Sequence, residues 1–119
     1  MLFRSLKQRL DRLGVPYYSY ELGTLADVAK TIRSLGARLD LKVEAESLAS
    51  TIERSLAAIR SSVASKPRPK TLLVFGHDPG SLRNINASGG YGFLADLLDI
   101  AGAQNTLDDI KQQIGRAHV

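Results

Sequence analysis

The side chains best suited to chemistry sit together in the segment Gly76-His77-Asp78-Pro79-Gly80-Ser81-Leu82-Arg83-Asn84-Ile85-Asn86-Ala87-Ser88-Gly89-Gly90-Tyr91. It follows the apolar run Thr71-Leu72-Leu73-Val74-Phe75, whose length and composition predict a strand buried on both faces. The segment therefore lies at the strand's C-terminal end, where open α/β sheets gather their ligands. Arg83 suits a carboxylate or phosphate through its guanidinium fork. Asn84 and Tyr91 can hydrogen-bond or stack, and His77 and Asp78 complete the candidate set. Asp78-Pro79-Gly80 is also a turn signal. For each of these polar residues a solvated or turn-forming role stands beside ligand contact.

Most enzymatic readings of the segment lack a required part. It has glycines but neither the lysine nor the GxxxxGK[ST] spacing of a phosphate-binding loop, and no GxGxxG. There is no GxSxG nucleophile elbow. His77 beside Asp78 makes no triad without a nucleophile, and adjacent side chains on a strand or turn point different ways. The chain has two histidines and no cysteine, so a metal site made of protein ligands alone is not expected, nor are disulfides. No resident cofactor is implied. A metal that arrives wrapped in a chelate needs no protein ligand.

Several elements must position this segment. Leu2, Leu6, Leu10 and Leu13 recur at helical spacing among Arg4, Lys7, Arg9, Asp11 and Arg12, and Gly14 stands where a helix-ending glycine belongs. Val15-Pro16-Tyr17-Tyr18-Ser19-Tyr20 reads as a strand. Thr24 caps a second helix with Asp27 three residues on, its apolar face made by Leu25, Val28, Ile32, Leu35 and Leu39; Gly36 weakens its end. A third helix is predicted from about Val43 to Ser65, roughly 30 Å long, buried along Leu48, Ile52, Leu56, Ile59 and Val63. Lys66-Pro67-Arg68-Pro69-Lys70 stops it. A loop is predicted from Gly76 to Gly90, then a fourth helix over about 92–101, ended by Gly102. Two strands flanking a long helix cannot make a stable sheet, so the pattern resembles the middle of a larger protein.

Composition narrows the class. Hydrophobic residues make up 44% and charged residues 24%, ordinary for a globular protein. No run approaches the roughly 18 to 20 apolar residues of a membrane span. The net charge of +4 comes from scattered residues. The densest basic run, 66–70, is short and broken by prolines, so nucleic acid is not an expected partner. Met1-Leu2-Phe3-Arg4 leads into an amphipathic stretch rather than an apolar signal core, which alone points to the cytoplasm. Ile114-Gly115-Arg116-Ala117-His118-Val119 matches one reading frame of a common sequencing adapter. Residues 114–119 are expected to be its translation, which leaves His118 without function.

Five stretches, in order, resemble the iron-siderophore and vitamin B12 class of periplasmic substrate-binding proteins of ABC importers, the helical-backbone metal receptors. Leu13-Gly14-Val15-Pro16-Tyr17-Tyr18 is similar to that family's LGIPVYV segment. Gly23 to Val28, followed by Thr31 to Gly36, is similar to its helix entering the bridge between lobes. Lys66 to Phe75 resembles its RPRVLLVVG passage. Asp78 to Leu82 and Phe93 to Gly102 resemble the family's next passage, inside the second lobe. Ala103-Gln104-Asn105 departs from the family's frequent Gly-Glu-Asn.

The resemblance implies an α/β fragment of a two-lobed Rossmann-like protein with a long backbone helix. Residues 1–22 would end the first lobe, 23–66 form the helical bridge and 67–113 begin the second lobe. It implies binding without catalysis. The ligand would be a metal chelate (a corrinoid, a ferric siderophore or haem), contacted by His77, Asp78, Arg83, Asn84 and Tyr91. The partner would be an ABC permease, docked through Asp99 and providing the only membrane contact. The parent would be periplasmic or lipid-anchored, with its signal peptide outside this segment. The competing reading is a fragment of a cytoplasmic nucleotide-using α/β enzyme. A purely helical interaction protein is disfavoured by the strand at Thr71–Phe75.

Overall fold

The structure, a computed structural model, describes residues 2–111 and 114–117. Helix α1 spans Leu2–Arg12, with Arg9 and Arg12 in its last turn, where cations favour the helix dipole. Gly14 closes it with φ +64°, and the Val15 amide donates to the Leu10 carbonyl at 3.0 Å. Residues 15–22 form no strand. Ladder bonds need a neighbour, and none of the described strands lies beside this segment. Side chains hold it instead: the Tyr18 and Tyr20 rings stack at 6.4 Å. The Arg38 guanidinium lies 4.7 Å from the Tyr18 centroid and the Lys7 ammonium 5.8 Å from that of Tyr17.

Helix α2, Leu25–Arg38, begins in the expected capping box. The Asp27 amide donates to Thr24 Oγ1 at 3.4 Å, and Asp27 Oδ2 accepts from the Thr24 and Gly23 amides at 2.8 and 3.0 Å. The Thr24 amide, and after it the Thr24 hydroxyl, holds the Asp27 carboxyl below its ordinary pKa. Helix α3, Lys42–Val63, has 22 residues and is about 33 Å long. It folds back on α2 through a turn at Asp40 (φ +60°), where the Leu41 amide donates to the Gly36 carbonyl at 2.8 Å.

Gly36 does not end α2. It lies within the helix, where α2 and α3 touch. A Cβ on Gly36 would collide with Ala45 Cβ and stand 2.9 Å from the Leu41 carbonyl oxygen. Ala29, Ala45 and Ala49 are buried at this seam, while Leu48 and Ile59, expected in the core, are 53% and 46% exposed. Small residues let the two backbones approach, which rotates the larger aliphatics of α3 toward its flanks. Ile52, Leu56 and Val63 remain half-buried. Across the same pair Arg33 forks to two carboxylates, at 2.8 and 3.0 Å to Glu46 and 2.8 and 2.9 Å to Glu53. The hydrogen bonds from Arg33, followed by the one from Ser50, lower Glu46 to about 2. Arg33 likewise lowers Glu53, and its own pKa rises through its bonds to Glu53 and then Glu46.

After the proline linker come β1 (Lys70–Thr71), β2 (Val74–Gly76), β3 (Ile85–Ser88), α4 (Phe93–Ile100), β4 (Gln104–Asn105) and β5 (Ile114–Ala117). β1 pairs in parallel with β4, and β2-β3-β5 form an antiparallel sheet. The chain is thus α/β, with α4 in the crossover between the parallel strands. The run expected as one doubly buried strand is divided at Leu72-Leu73, and Leu72, Val74 and Phe75 are 42%, 40% and 44% exposed. Nothing among the described residues covers both of its faces. β3 lies inside the stretch read as loop. The accessible surface of 9195 Å² exceeds the roughly 6300 Å² of a compact chain of 12.9 kDa. The elements form a slab, not a closed core.

Candidate functional site

The connection between β2 and β3, residues 77–84, is organised by Asp78. Its amide donates to the Arg83 carbonyl at 2.9 Å, and its own carbonyl accepts from the Ser81 amide at 3.1 Å. Asp78 Oδ2 accepts from Asn84 Nδ2 at 2.9 Å, and the Arg83 amide donates to Ser81 Oγ at 3.3 Å. Two residues take left-handed backbone, Gly80 at φ +74° and Asn84 at φ +51°. Glycine takes it without a steric cost, and asparagine is among the few residues that tolerate it. Asp78 and Asn84 therefore brace the loop through Oδ2 and Nδ2. The His77 ring and the Arg83 guanidinium are exposed. His77 Nδ1 lies 2.8 Å from the Asp78 carbonyl oxygen, and the Arg83 guanidinium has no partner among the described residues.

The five candidate contact residues do not converge. His77, Asp78, Arg83 and Asn84 share the loop. Tyr91 stands past the other end of β3, a strand about 13 Å long, and is 53% exposed. The turn before Tyr91 is packed: the Gly90 amide donates to the Ile110 carbonyl at 2.7 Å, and a Cβ on Gly90 would collide with the Asp108 backbone. Asn105 secures it, with Nδ2 donating to the Gly89 carbonyl at 2.8 Å and Oδ1 accepting from the Leu107 amide at 3.0 Å.

Asp99 is exposed, as its place on α4 predicts, but its carboxylate is not free. Arg68 Nη2 reaches Oδ1 at 2.6 Å and Arg60 Nη1 reaches Oδ2 at 3.0 Å. Arg68 also donates to the Ala103 carbonyl at 2.8 Å, satisfying an acceptor just beyond the helix end. Asp99 thus ties the end of α3 and the proline linker to α4. Beside it, Asp96 Oδ2 accepts from the Leu25 amide at 2.9 Å, fastening the start of α2 to the same helix. Gly102 takes left-handed backbone at φ +82° just past α4, and a Cβ there would lie 2.9 Å from Val63 Cγ2 of α3. These partners lie far apart in the sequence, and no local pattern announces them.

The described residues also enclose concavities. One, of about 550 Å³, is lined by Arg68, Gly90, Asp96, Asp99 and Gln104 among others. The second, about 530 Å³, is more apolar and lies between Leu6 and Leu10 of α1 and Tyr17, Tyr20 and Leu22. Among the described residues no three His, Cys, Asp or Glu side chains converge to hold a bare metal ion. No helix among them is long and apolar enough to cross a membrane. His118 lies outside the described residues. Ile114–Ala117, part of the stretch expected to be translated adapter, pair through their backbone with β3.

Comparison with known proteins supplies context for this geometry. A family model described as periplasmic binding protein matches residues 3–119. No curated protein matches the chain in sequence. Among solved structures, an ABC transporter substrate-binding protein from Listeria monocytogenes EGD-e superposes with a TM-score of 0.78 at 24% identity, covering 96% of this chain and 43% of that one. S. aureus IsdE complexed with heme gives 0.71 at 26% identity, covering 88% of this chain and 40% of that one. A periplasmic solute binding protein from Veillonella parvula DSM 2008 gives 0.69 at 28%, covering 97% and 34%. The chain therefore spans between 34% and 43% of the length of these proteins.

Proposed function

Because the chain belongs to the periplasmic binding protein family, we propose that it forms part of a substrate-binding component of an ABC importer, acting outside the cytoplasm. Residues 23–66 serve as its rigid bridge and residues 67–113 as the start of one ligand-holding lobe. It takes up a metal chelate (a corrinoid, a ferric siderophore or haem) and carries it to a membrane permease, without covalent chemistry. The observation that carries this reading is the β2–β3 loop. Its backbone is tied down by Asp78, and its imidazole and guanidinium are left exposed. Such a loop binds with little ordering cost. The heme held by IsdE, a protein 26% identical over the aligned part, supports a chelate as the ligand class. The large accessible surface fits a chain whose remaining faces are covered by further protein.

In this reading Asp99 contributes to docking by fixing the Arg60–Asp99–Arg68 cluster on the rim, not by offering a bare carboxylate. The test is equilibrium dialysis of the chain against haemin, a corrinoid, a ferric trihydroxamate and ATP in parallel. Saturable uptake of at least one chelate, with none of ATP, is expected. Uptake of ATP alone would transfer the chain to the nucleotide-using enzymes.

A further inference from the structure

We infer, resting on the importer reading only for the presence of a bilayer, that α1 and residues 15–22 form a face that docks on an anionic phospholipid surface, a membrane contact separate from any permease. Arg4, Lys7, Arg9 and Arg12 against Asp11 place +3 of the chain's net +4 on this one eleven-residue helix. The positive charges of Arg33, Arg60 and Arg68 are answered within the fold, by Glu46 and Glu53 and by Asp99. Among the described residues no carboxylate pairs with a cation of α1. The first turn of α1 holds Arg4 and no acidic residue, against the preference of the helix dipole. An anionic surface brought to this helix relieves both imbalances.

The apolar side of the same helix is open. The helical period of about 3.6 residues puts Leu6 and Leu10 on one side of α1, with Lys7 and Arg9 along its two edges. Leu6 and Leu10 meet Tyr17, Tyr20 and Leu22 across the groove of about 530 Å³. Leu6, Tyr20 and Leu22 are 51%, 58% and 53% exposed, and no helix or strand among the described residues packs extensively on α1. A contiguous apolar surface edged by cations marks an interaction site. A second copy seated here would set +3 against +3 and be repelled. An anionic bilayer answers both features. Its phosphates meet Lys7 and Arg9, whose stems run along the apolar surface. Tyr17 and Tyr20 suit the headgroup level, and Leu6 and Leu10 reach the boundary of the acyl chains, as in a helix lying in the interface plane.

The test is flotation of the chain with vesicles of phosphatidylcholine alone and of phosphatidylcholine mixed with phosphatidylglycerol, at low and high salt. Uptake by the mixed vesicles only is expected, and it should fall in high salt. Each cation at an anionic surface is worth about five-fold in affinity. Lys7→Glu with Arg9→Glu should therefore weaken uptake by at least about thirty-fold. Lys42→Glu with Arg54→Glu, which changes the net charge equally but away from α1, should weaken it far less. Both variants are checked for helicity by circular dichroism. The chain has no tryptophan, so tyrosine emission is readable, and brominated acyl chains should quench it. Equal uptake by both kinds of vesicle would overturn the inference, as would equal loss in the two charge variants. A dimer in sedimentation that phosphatidylglycerol vesicles fail to dissociate would assign the face to a second copy and overturn it too. Chelate uptake in dialysis is read without vesicles, so failure here leaves the chelate reading standing, and failure there leaves this one.

Discussion

Replacing Gly36 by alanine sets two effects of opposite sign against each other. Removing a glycine from a helix interior favours the helix by up to about 1 kcal/mol. Here the new methyl would meet Ala45 Cβ head-on and lie 2.9 Å from the Leu41 carbonyl oxygen. That carbonyl cannot yield easily, because it accepts from the Ala45 amide at 3.0 Å and the Leu41 amide is bonded to the Gly36 carbonyl. The helices must move apart instead, which also stretches the Arg33 fork to Glu46 and Glu53. Overpacking of this kind costs about 1–3 kcal/mol. With main chain as the obstacle the upper part of that range applies, so Gly36→Ala should destabilise by roughly 1–2 kcal/mol net of the propensity gain. The assay is urea unfolding followed by far-UV circular dichroism. The midpoint should fall by roughly 1 M at constant slope. Adding Ala45→Gly should recover part of the loss but not all, since the Leu41 oxygen stays in place. A midpoint above that of the wild-type chain would refute the close crossing, and with it the reason alanines fill the α2–α3 seam.

Three other perturbations probe the frame. Glu46 falls to about 2 in the folded chain from an ordinary 4.5; a depressed carboxyl stabilises above its unfolded pKa, so this contribution is complete above about pH 4.5 and is lost as pH drops toward about 2. An acid titration of helicity should show that loss, and Arg33→Met should flatten it. Asp99→Asn should cost no more than about 1–2 kcal/mol, because both ion pairs are exposed and such pairs are worth about 0.2–1 kcal/mol each. A double-mutant cycle with Arg68→Ala should give a coupling within that range that shrinks in high salt. Thr24→Ala removes one half of the capping box and should cost about 1 kcal/mol of α2 stability, read by the same urea titration.

The helices were legible because their signals are local. Leucine spacing, the Thr24–Asp27 box and Gly14 and Gly102 fix α1, α2 and α4 within a few residues, and the prolines at 67 and 69 limit how far α3 can run. What the pattern could not give is which face of α3 is buried. Its larger aliphatics make the plainer stripe, but a glycine on α2 lets Ala45 and Ala49 take the seam. β3 was hidden because Asn86 and Ser88 look like loop residues. Yet Ile85 and Ala87 alternate with them, and Ser88 is fully buried. The Val15–Tyr20 segment has strand-like residues and lacks a described strand to pair with, a fact of tertiary structure. Of the candidate site, the position of the loop was readable. The division of labour within it was not: Asp78 and Asn84 brace it, and Tyr91 belongs to the other end of β3. The arginines on Asp99 come from positions 31 and 39 residues away and leave no trace in local spacing.

A chelate held at the β2–β3 loop, against a frame that does not move, should leave a localised mark on backbone exchange. Hydrogen–deuterium exchange of the chain with and without a bound chelate tests it most directly. Slow exchange through α3 is expected in both states, with new protection confined to residues 76–84 on binding. Protection restricted to the groove lined by Leu6, Leu10 and Tyr17, with the loop unchanged, would contradict it.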